Sequence, residues 1–344
     1  VAQQISLSKY PGKVWPVHPK RNKIGPYKTF KSIDQLPDVP DAAFIGVNRF
    51  LAVKLIEKLS KLGTGGVSCF ASGFSEVGNE GASLQNELVE VAGDMPVLGP
   101  NCYGFLNYLD NVIMWPDQHG GSLVKSGVAI IAQSSNIAIN LTMQKRAVPI
   151  AYIFTIGNQA QTGLSDIILN LLTDSRVTAI GLHLEAIDDI GKFESMSRIA
   201  KKANKPIVVI KAGRSELGQK QSLSHTASIT GAPRANSALF KRLGICETHH
   251  LDTFLETLKV FHFLGPLQSP EVVSVSCSGG EATLIADSAI ETNIQFPEFT
   301  QTITSELERI LGPLVRISNP LDYHTFIWGD EQKMVETFST IMKN

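Results

Sequence analysis

Short apolar runs alternate with amphipathic stretches along almost the whole chain, and that alternation predicts its architecture. The runs at 41–47 (DAAFIGV), 66–71 (GVSCFA) and 96–99 (PVLG) have the near-continuous hydrophobic pattern of strands buried on both faces. Between them, 50–62 and 80–92 carry helical periodicity, with Leu51, Leu55, Ile56 and Leu59 on one face of the first. The pattern resumes at 127–132 (GVAIIA), 150–156 (IAYIFTI), 177–185 (VTAIGLHLE) and 206–211 (PIVVIK). Helical stretches at 137–145, 163–172 and 193–203 separate these runs, and an amphipathic helix at 251–263 closes the series. A third series starts at 272–276 after a turn-rich linker at 265–270, with helices expected near 282–292 and 299–310. Residues 1–10 read as weakly helical, 13–17 as a short strand, and 108–125 as a connector without periodicity. Strand–helix alternation builds a parallel sheet covered by helices and places ligands beyond the carboxyl ends of the strands. The expected fold class is therefore α/β, in three units at 1–115, 122–264 and 270–344.

Composition narrows the function classes. The chain has 344 residues, 43% hydrophobic and 18% charged, enough for a sizeable core. A net charge of −1 argues against nucleic acid as a partner. Cys69, Cys102, Cys246 and Cys277 lack paired metal spacing, which suggests reduced thiols in a cytoplasmic protein. No metal site is expected, since the adjacent His249 and His250 have no third ligand near them in sequence. No apolar run approaches the roughly 18 residues of a membrane span, and no signal pattern is visible. The chain opens on Val1, and the first strand and glycine-rich turn of a dinucleotide-type fold are not in evidence. The expectation is that both ends are cut short.

The most chemically suggestive stretch is 211–231, KAGRSELGQKQSLSHTASITG. A strand leads into a polar loop in which His225 stands among the small hydroxyl residues Ser222, Ser224, Thr226, Ser228 and Thr230. Imidazole is a nucleophile at neutral pH, and small neighbours admit a phosphate and donate to its oxygens. Taken alone, the loop also fits a polar surface turn. Ser134, Ser135 and Asn136 open the helix at 137–145; such residues cap free N–H groups, and the same helix start favours a phosphate. Glu185 ends a strand, where it can accept a hydrogen bond from one ring nitrogen of His225 or lie solvated.

Four motifs, in order and spacing across nearly the whole chain, resemble the NDP-forming acyl-CoA synthetase superfamily, which includes the succinyl-CoA synthetase alpha subunit and ADP-forming acetyl-CoA synthetase. They are Ser224-His225-Thr226 with Gly231, LGPNCYGF at 98–105, IAQSSN at 131–136 and LHLE at 182–185. Asn319-Pro-Leu-Asp322 resembles that family's Asn-Pro-x-Asp turn. The resemblance implies a Rossmann-like coenzyme A domain followed by flavodoxin-like domains of the succinyl-CoA synthetase type. It implies His225 as phosphohistidine and Glu185 as its orienting carboxylate, with phosphate held by Ser134, Ser135, Asn136, Ser224 and Thr226. The family usually has glycine where Ser135 stands. Coenzyme A is expected on the strand-end loops at Pro16, Val17 and Lys20, at Val47, Asn48 and Arg49, at Ser72, Gly73 and Phe74, and at Asn101 and Cys102. Cys102 is not expected as a nucleophile, because nothing near it in sequence lowers its pKa.

The reaction implied joins a small carboxylic acid to coenzyme A through an acyl phosphate, with ATP/ADP and Mg2+ handled by an ATP-grasp domain or subunit outside this chain. A homo- or hetero-oligomer is expected. Substrate contacts are expected at Tyr103, Asn158, Gln159 and Trp328. Together with Trp115, Tyr323, His324 and Phe326, the rings suit an aromatic acid or a quaternary ammonium or sulfonium acid held by cation–π contact. Some members of the family act on betaine-like acids or on dimethylsulfoniopropionate, the latter continuing to lyase chemistry. Two rival classes remain open: a catalytically silent coenzyme A-binding regulatory module, as attached to some protein acetyltransferases, and a nucleotide-binding module without phosphohistidine chemistry.

Overall fold

Strands form where the apolar runs lie. The structure, a computed structural model, describes residues 1–187, 189–219 and 232–342. The chain resolves into two compact units, Val1–Gly265 and Pro266–Asn344. The first begins with helix α1 (Ala2–Leu7) and a small antiparallel hairpin, β1 (Lys23–Ile24) and β2 (Tyr27–Lys28). Then β3 (Ala43–Ile45), α2 (Arg49–Leu62), β4 (Val67–Cys69), α3 (Asn79–Ala92) and β5 (Val97–Leu98) build a three-stranded parallel sheet in the order β3-β4-β5. Its core joins Ile45, Val67, Cys69 and Val97 to Ala52, Val53, Ile56 and Leu59 of α2 and Leu88 of α3. Of the expected strand at 13–17, only Val17 makes a bridge, with Phe30.

The larger sheet of the first unit comprises β6 (Phe105–Asn107), β7 (Val112–Met114), β8 (Gly127–Ala132), β9 (Ile150–Thr155), β10 (Val177–Leu184), β11 (Ile207–Lys211) and β12 (Cys246–Thr248). Its order is β12-β11-β10-β8-β9-β6-β7. Pairing is parallel from β12 to β9 and antiparallel at β6 and β7. The helices α4 (Ser135–Met143), α5 (Leu164–Leu171), α6 (Ile190–Lys202), α7 (Pro233–Leu243) and α8 (Leu251–Leu264) cover both faces. Every residue of β8 is buried, which explains its unbroken apolar run. Ala129 and Ile131 pack toward Leu164, Ile168, Phe193, Met196 and Phe240 from α5, α6 and α7. Val128, Ile130 and Ala132 pack toward Ala138, Leu141, Phe254, Leu255 and Leu258 from α4 and α8. The two-residue period of a strand thus divides one run between two cores.

The connector expected at 108–125 is only partly one. The β6–β7 hairpin extends the larger sheet, its turn organised by Asn107 Oδ1, which accepts the N–H groups of Leu109 and Asp110. Leu106, Ile113 and Trp115 point inward, but three-residue strands are too short for alternation to register in sequence. The expected division at 115–122 therefore falls after the chain has already entered the larger sheet.

The second unit pairs β13 (Val275–Ser276) in parallel with β14 (Leu321–Asp322) and carries α9 (Gly279–Ser288), α10 (Gln301–Leu311) and α11 (Glu331–Met342). Its core is built from Ile303, Leu307, Ile310, Leu321, Tyr323 and Ile327. Asn319 ties it together: Oδ1 accepts from the Ser274 N–H at 3.1 Å, and Nδ2 donates to the carbonyls of Val272 and Pro297. Among the described residues, no helix is long and apolar enough to cross a membrane.

Candidate functional site

The carboxyl ends of β3, β4 and β5 carry most of the residues expected to hold coenzyme A. Asn48 caps α2, its side chain accepting from the Leu51 N–H at 3.0 Å. Arg49 is committed rather than free: its guanidinium donates to the Gly73 carbonyl and pairs with Glu80 Oε1 at 2.7 Å. It also lies 4.7 Å from the Phe50 ring centroid. The loop after β4 presents Ser72 to solvent, turns at Gly73 with φ +94° and buries the Phe74 ring completely. The Phe74 side chain thus belongs to the core, a correction to its expected role: only its backbone remains for a ligand. Pro16 and Val17 are held to Phe30, since the His18 N–H donates to the Phe30 carbonyl and the Phe30 N–H to that of Pro16. Lys20 is exposed, and its N–H caps His18 Nδ1 at 3.1 Å.

The loop after β5 is fused to the loop after β9. Asn101 adopts φ +59° and donates its N–H to the Ala71 carbonyl at 2.9 Å. Cys102 is 1% exposed, with Sγ against the Leu98 and Cys69 carbonyls. Burial pushes its thiol up to about 12, so it remains protonated and non-nucleophilic. The N–H groups of Tyr103 and Gly104 both donate to Thr155 Oγ1 at the end of β9. Gly157, at φ +51°, lies so close that an added Cβ would sit 2.1 Å from the Pro100 carbonyl oxygen. Asn158 donates its N–H to that carbonyl at 2.9 Å, and the Ala160 N–H donates to that of Gly99 at 3.0 Å. Gln159 serves the next helix, its Oε1 accepting from the Leu164 N–H at 2.9 Å.

On the larger sheet, the ends of β8, β10 and β11 are laced together. Ser134 caps α4, its Oγ accepting from the Ile137 N–H at 3.4 Å; Ser135 and Asn136 form the first turn. Gln133, just before them, accepts through Oε1 from the N–H groups of Glu185 and Ala186, and donates through Nε2 to the Ala186 carbonyl at 3.0 Å. Lys211, 4% exposed at the end of β11, donates Nζ to the carbonyls of Glu185 at 2.5 Å and Ala212 at 2.7 Å. Its burial draws its pKa down, while the Glu185 carboxylate draws it back up. The Ser134 turn, Glu185 and the root of the loop that leads to His225 are therefore held in one arrangement. Ser224, His225 and Thr226 themselves lie outside the described residues.

Sequence reasoning passed over Gln133, His183, Lys211 and Glu76. The available signal was a polar residue inside or ending an apolar run, as in GVAIIA-Gln133 and PIVVI-Lys211. Among the aromatic candidates, Tyr103 is half-buried between Phe70 and Trp115, with centroids at 5.5 and 5.4 Å. Trp115 is fully buried and packs the core instead of lining a pocket. In the second unit, Tyr323 is buried too, Trp328 is exposed, and Phe326 stacks on His324 at 5.1 Å. Among the described residues, no group of three or more His, Cys, Asp or Glu side chains could hold a metal ion.

Residues 2–108 match the CoA binding domain family, and residues 125–261 match the succinyl-CoA ligase like flavodoxin domain. The chain is 30% identical over 326 residues to an acetate–CoA ligase [ADP-forming] of Methanocaldococcus jannaschii, covering 92% of this chain and 45% of that protein. The chain joins these two domains and is similar to ADP-forming acid–CoA ligases. It is also similar to the acetate–CoA ligase [ADP-forming] II subunit alpha of Pyrococcus furiosus, 29% identical over 93% of this chain and 70% of that subunit. A solved structure of the dinucleotide forming acetyl-coenzyme A synthetase 1 of Candidatus Korarchaeum cryptofilum, in complex with phosphate and ADP, superposes with a TM-score of 0.82. It is 27% identical, covering 94% of this chain and 70% of that one. The chain thus spans just under half of the first of these proteins and 70% of the other two. Its α/β fold is the expected one, a coenzyme A domain followed by a flavodoxin-like domain of the succinyl-CoA ligase type.

Proposed function

We propose that this chain is the coenzyme A- and phosphohistidine-bearing part of an ADP-forming acid–CoA ligase. The observation that carries the reading is the lacing of three strand ends, in which Gln133 and Lys211 fix Glu185 between the Ser134 turn and the root of the 212–231 loop. In the reaction, phosphate attacks the thioester of an acyl-CoA, the carbon–sulfur bond breaks, and coenzyme A leaves as the acyl phosphate forms. His225 then takes the phosphoryl group from the acyl phosphate, releasing the carboxylate, and passes it to ADP. In reverse, ATP, a carboxylate and coenzyme A give the thioester. Glu185 orients the histidine and stabilises its charge, and Ser134, Ser135, Asn136, Ser224 and Thr226 hold the phosphoryl oxygens. Coenzyme A lies along Pro16, Val17 and Lys20, Val47, Asn48 and Arg49, Ser72 and Gly73, and Asn101 with the backbone of Cys102, whose side chain is buried.

The nucleotide and its Mg2+ belong to an ATP-grasp domain or subunit, consistent with the alpha-subunit name of the Pyrococcus furiosus relative. When bound there, the ion neutralises charge on the nucleotide phosphates. A cytoplasmic setting suits the reduced cysteines. For the acid, the half-buried Tyr103 ring, set between Phe70 and Trp115, suits a small aromatic or cationic carboxylic acid, betaine- and sulfonium-type acids included. The test supplies the full-length protein and its nucleotide-binding partner with ATP, Mg2+, coenzyme A and a panel of acids spanning acetate, 4-hydroxybutyrate, aromatic, betaine and sulfonium types. Thioester formed with stoichiometric ADP is expected for at least one acid. No thioester with any acid, in protein that still binds coenzyme A, would replace the ligase with the silent regulatory module.

A further inference from the structure

The loop after β4 closes on its own carboxylate. Glu76 Oε1 accepts from the Gly73 N–H at 2.7 Å, and Oε2 accepts from the Phe74 N–H at 3.2 Å. The third donor comes from another sheet: Asn158 Nδ2 reaches Glu76 Oε2 at 2.5 Å. The same amide lies 3.1 Å from Gln85 Oε1 on α3 and 3.4 Å from Ser75 Oγ, while the Asn158 backbone N–H is held by Pro100. One residue of the loop after β9 therefore touches the loops after both β4 and β5. Arg49 secures the other side of the loop through the Gly73 carbonyl. An acceptor shared by three N–H donors is charge-assisted and directional. Burial pushes the Glu76 carboxyl up, but the Asn158 amide and the Gly73 and Phe74 N–H groups outweigh it and hold the carboxyl below its ordinary range.

We infer that Glu76 and Asn158 form a latch that sets the Ser72–Gly73 loop in register with Asn101 and Cys102, making both of them positioning residues for coenzyme A. This rests on the function proposed above. It moves Asn158 from substrate contact to loop support, since its amide hydrogens face acceptors on the protein. The latch acts on one half of the chemistry only. Phosphorylation of His225 by ATP breaks a phosphoanhydride bond and forms a phosphorus–nitrogen bond without coenzyme A, so it does not depend on the register of this loop.

The experiment uses the full-length protein with its nucleotide-binding partner, as wild type, Glu76→Gln, Asn158→Ala and the double variant. Coenzyme A affinity is measured by titration calorimetry, and His225 labelling by γ-labelled ATP in single turnover. Each single variant is expected to weaken coenzyme A binding about tenfold, the loss of one charge-assisted hydrogen bond. The labelling rate is expected to stay within about twofold of wild type, and the double variant to bind no more weakly than the weaker single, as coupled residues do. Unchanged coenzyme A affinity in Glu76→Gln overturns the latch. So does additive weakening in the double variant, which would give the residues separate roles, and so does a parallel fall in affinity, labelling and thermal midpoint, which would mark general loss of structure. Wild-type protein that binds coenzyme A but takes no label would strike the phosphohistidine reading and leave the latch, read from affinity, standing.

Discussion

His183 lies on β10 two residues before Glu185, 7% exposed, and its Nδ1 meets no hydrogen-bond partner among the described residues. Burial, and secondarily the Lys211 ammonium, lower its pKa to about 4. The unfolded chain takes up this proton near the ordinary value of about 6.5. The folded state therefore resists protonation, and the stability associated with neutral His183 is fully present above about 6.5 and drains away as pH falls toward 4. In urea unfolding at pH 7 and pH 4.5, wild type should lose on the order of 2 to 3 kcal/mol more than His183→Gln across that window. Parallel losses in the two proteins would show that the imidazole is solvated. At this scale the sequence was legible where a motif pins several residues at once: GPNC at 99–102 was recognised as a unit. Lys211 and Gln133 were legible only as polar residues ending apolar runs; that position marks a strand end but does not say which neighbouring strand the side chain turns back onto.

Elements meet at the site through backbone contacts that leave no room for side chains. Gly157 is one of these, with its φ of +51° and the carbonyls of Pro100 and Asn101 within 2.6 Å of where a Cβ would stand. Gly157→Ala should destabilise the first unit by about 3 kcal/mol and weaken coenzyme A binding with it, since the backbone of the loop after β5 has to shift. Gly25→Ala is the control: φ is +56°, yet nothing lies within 4 Å, so only the intrinsic cost of about 1 kcal/mol applies. Equal effects in urea melts of the two variants would show that the loops are not packed as described. Helices and parallel strands were readable from periodicity because each runs several residues and buries a consistent face. The β6–β7 hairpin was not, because its strands are three residues each and its inward positions are shared with a turn. The Phe74 side chain was misassigned for a related reason: in a loop, pattern does not separate a core anchor from a ligand contact.

At the scale of the molecule, the two sheets of the first unit are joined through the loops after β4, β5 and β9, so the loops proposed for coenzyme A are tied to the sheet whose strand ends are proposed for the phosphoryl group. The join between them is covalently short and heavily hydrogen-bonded, which suits the proposed passage of an acyl phosphate from thioester to histidine. The alternation of apolar runs was enough to expect an α/β chain. The distribution of strands between sheets was not, because hydrophobic period records burial and not partner. The central claim is that His225 carries a phosphoryl group. Its most direct test incubates the full-length protein and its nucleotide-binding partner with γ-labelled ATP and Mg2+, alongside His225→Ala and Glu185→Gln. The account predicts acid-labile, base-stable label on wild type, none on His225→Ala, and labelling slowed about a hundredfold in Glu185→Gln, within the usual range for a group that assists proton or charge transfer. Absence of label on folded wild type with its partner present, or label that survives in His225→Ala, would contradict it.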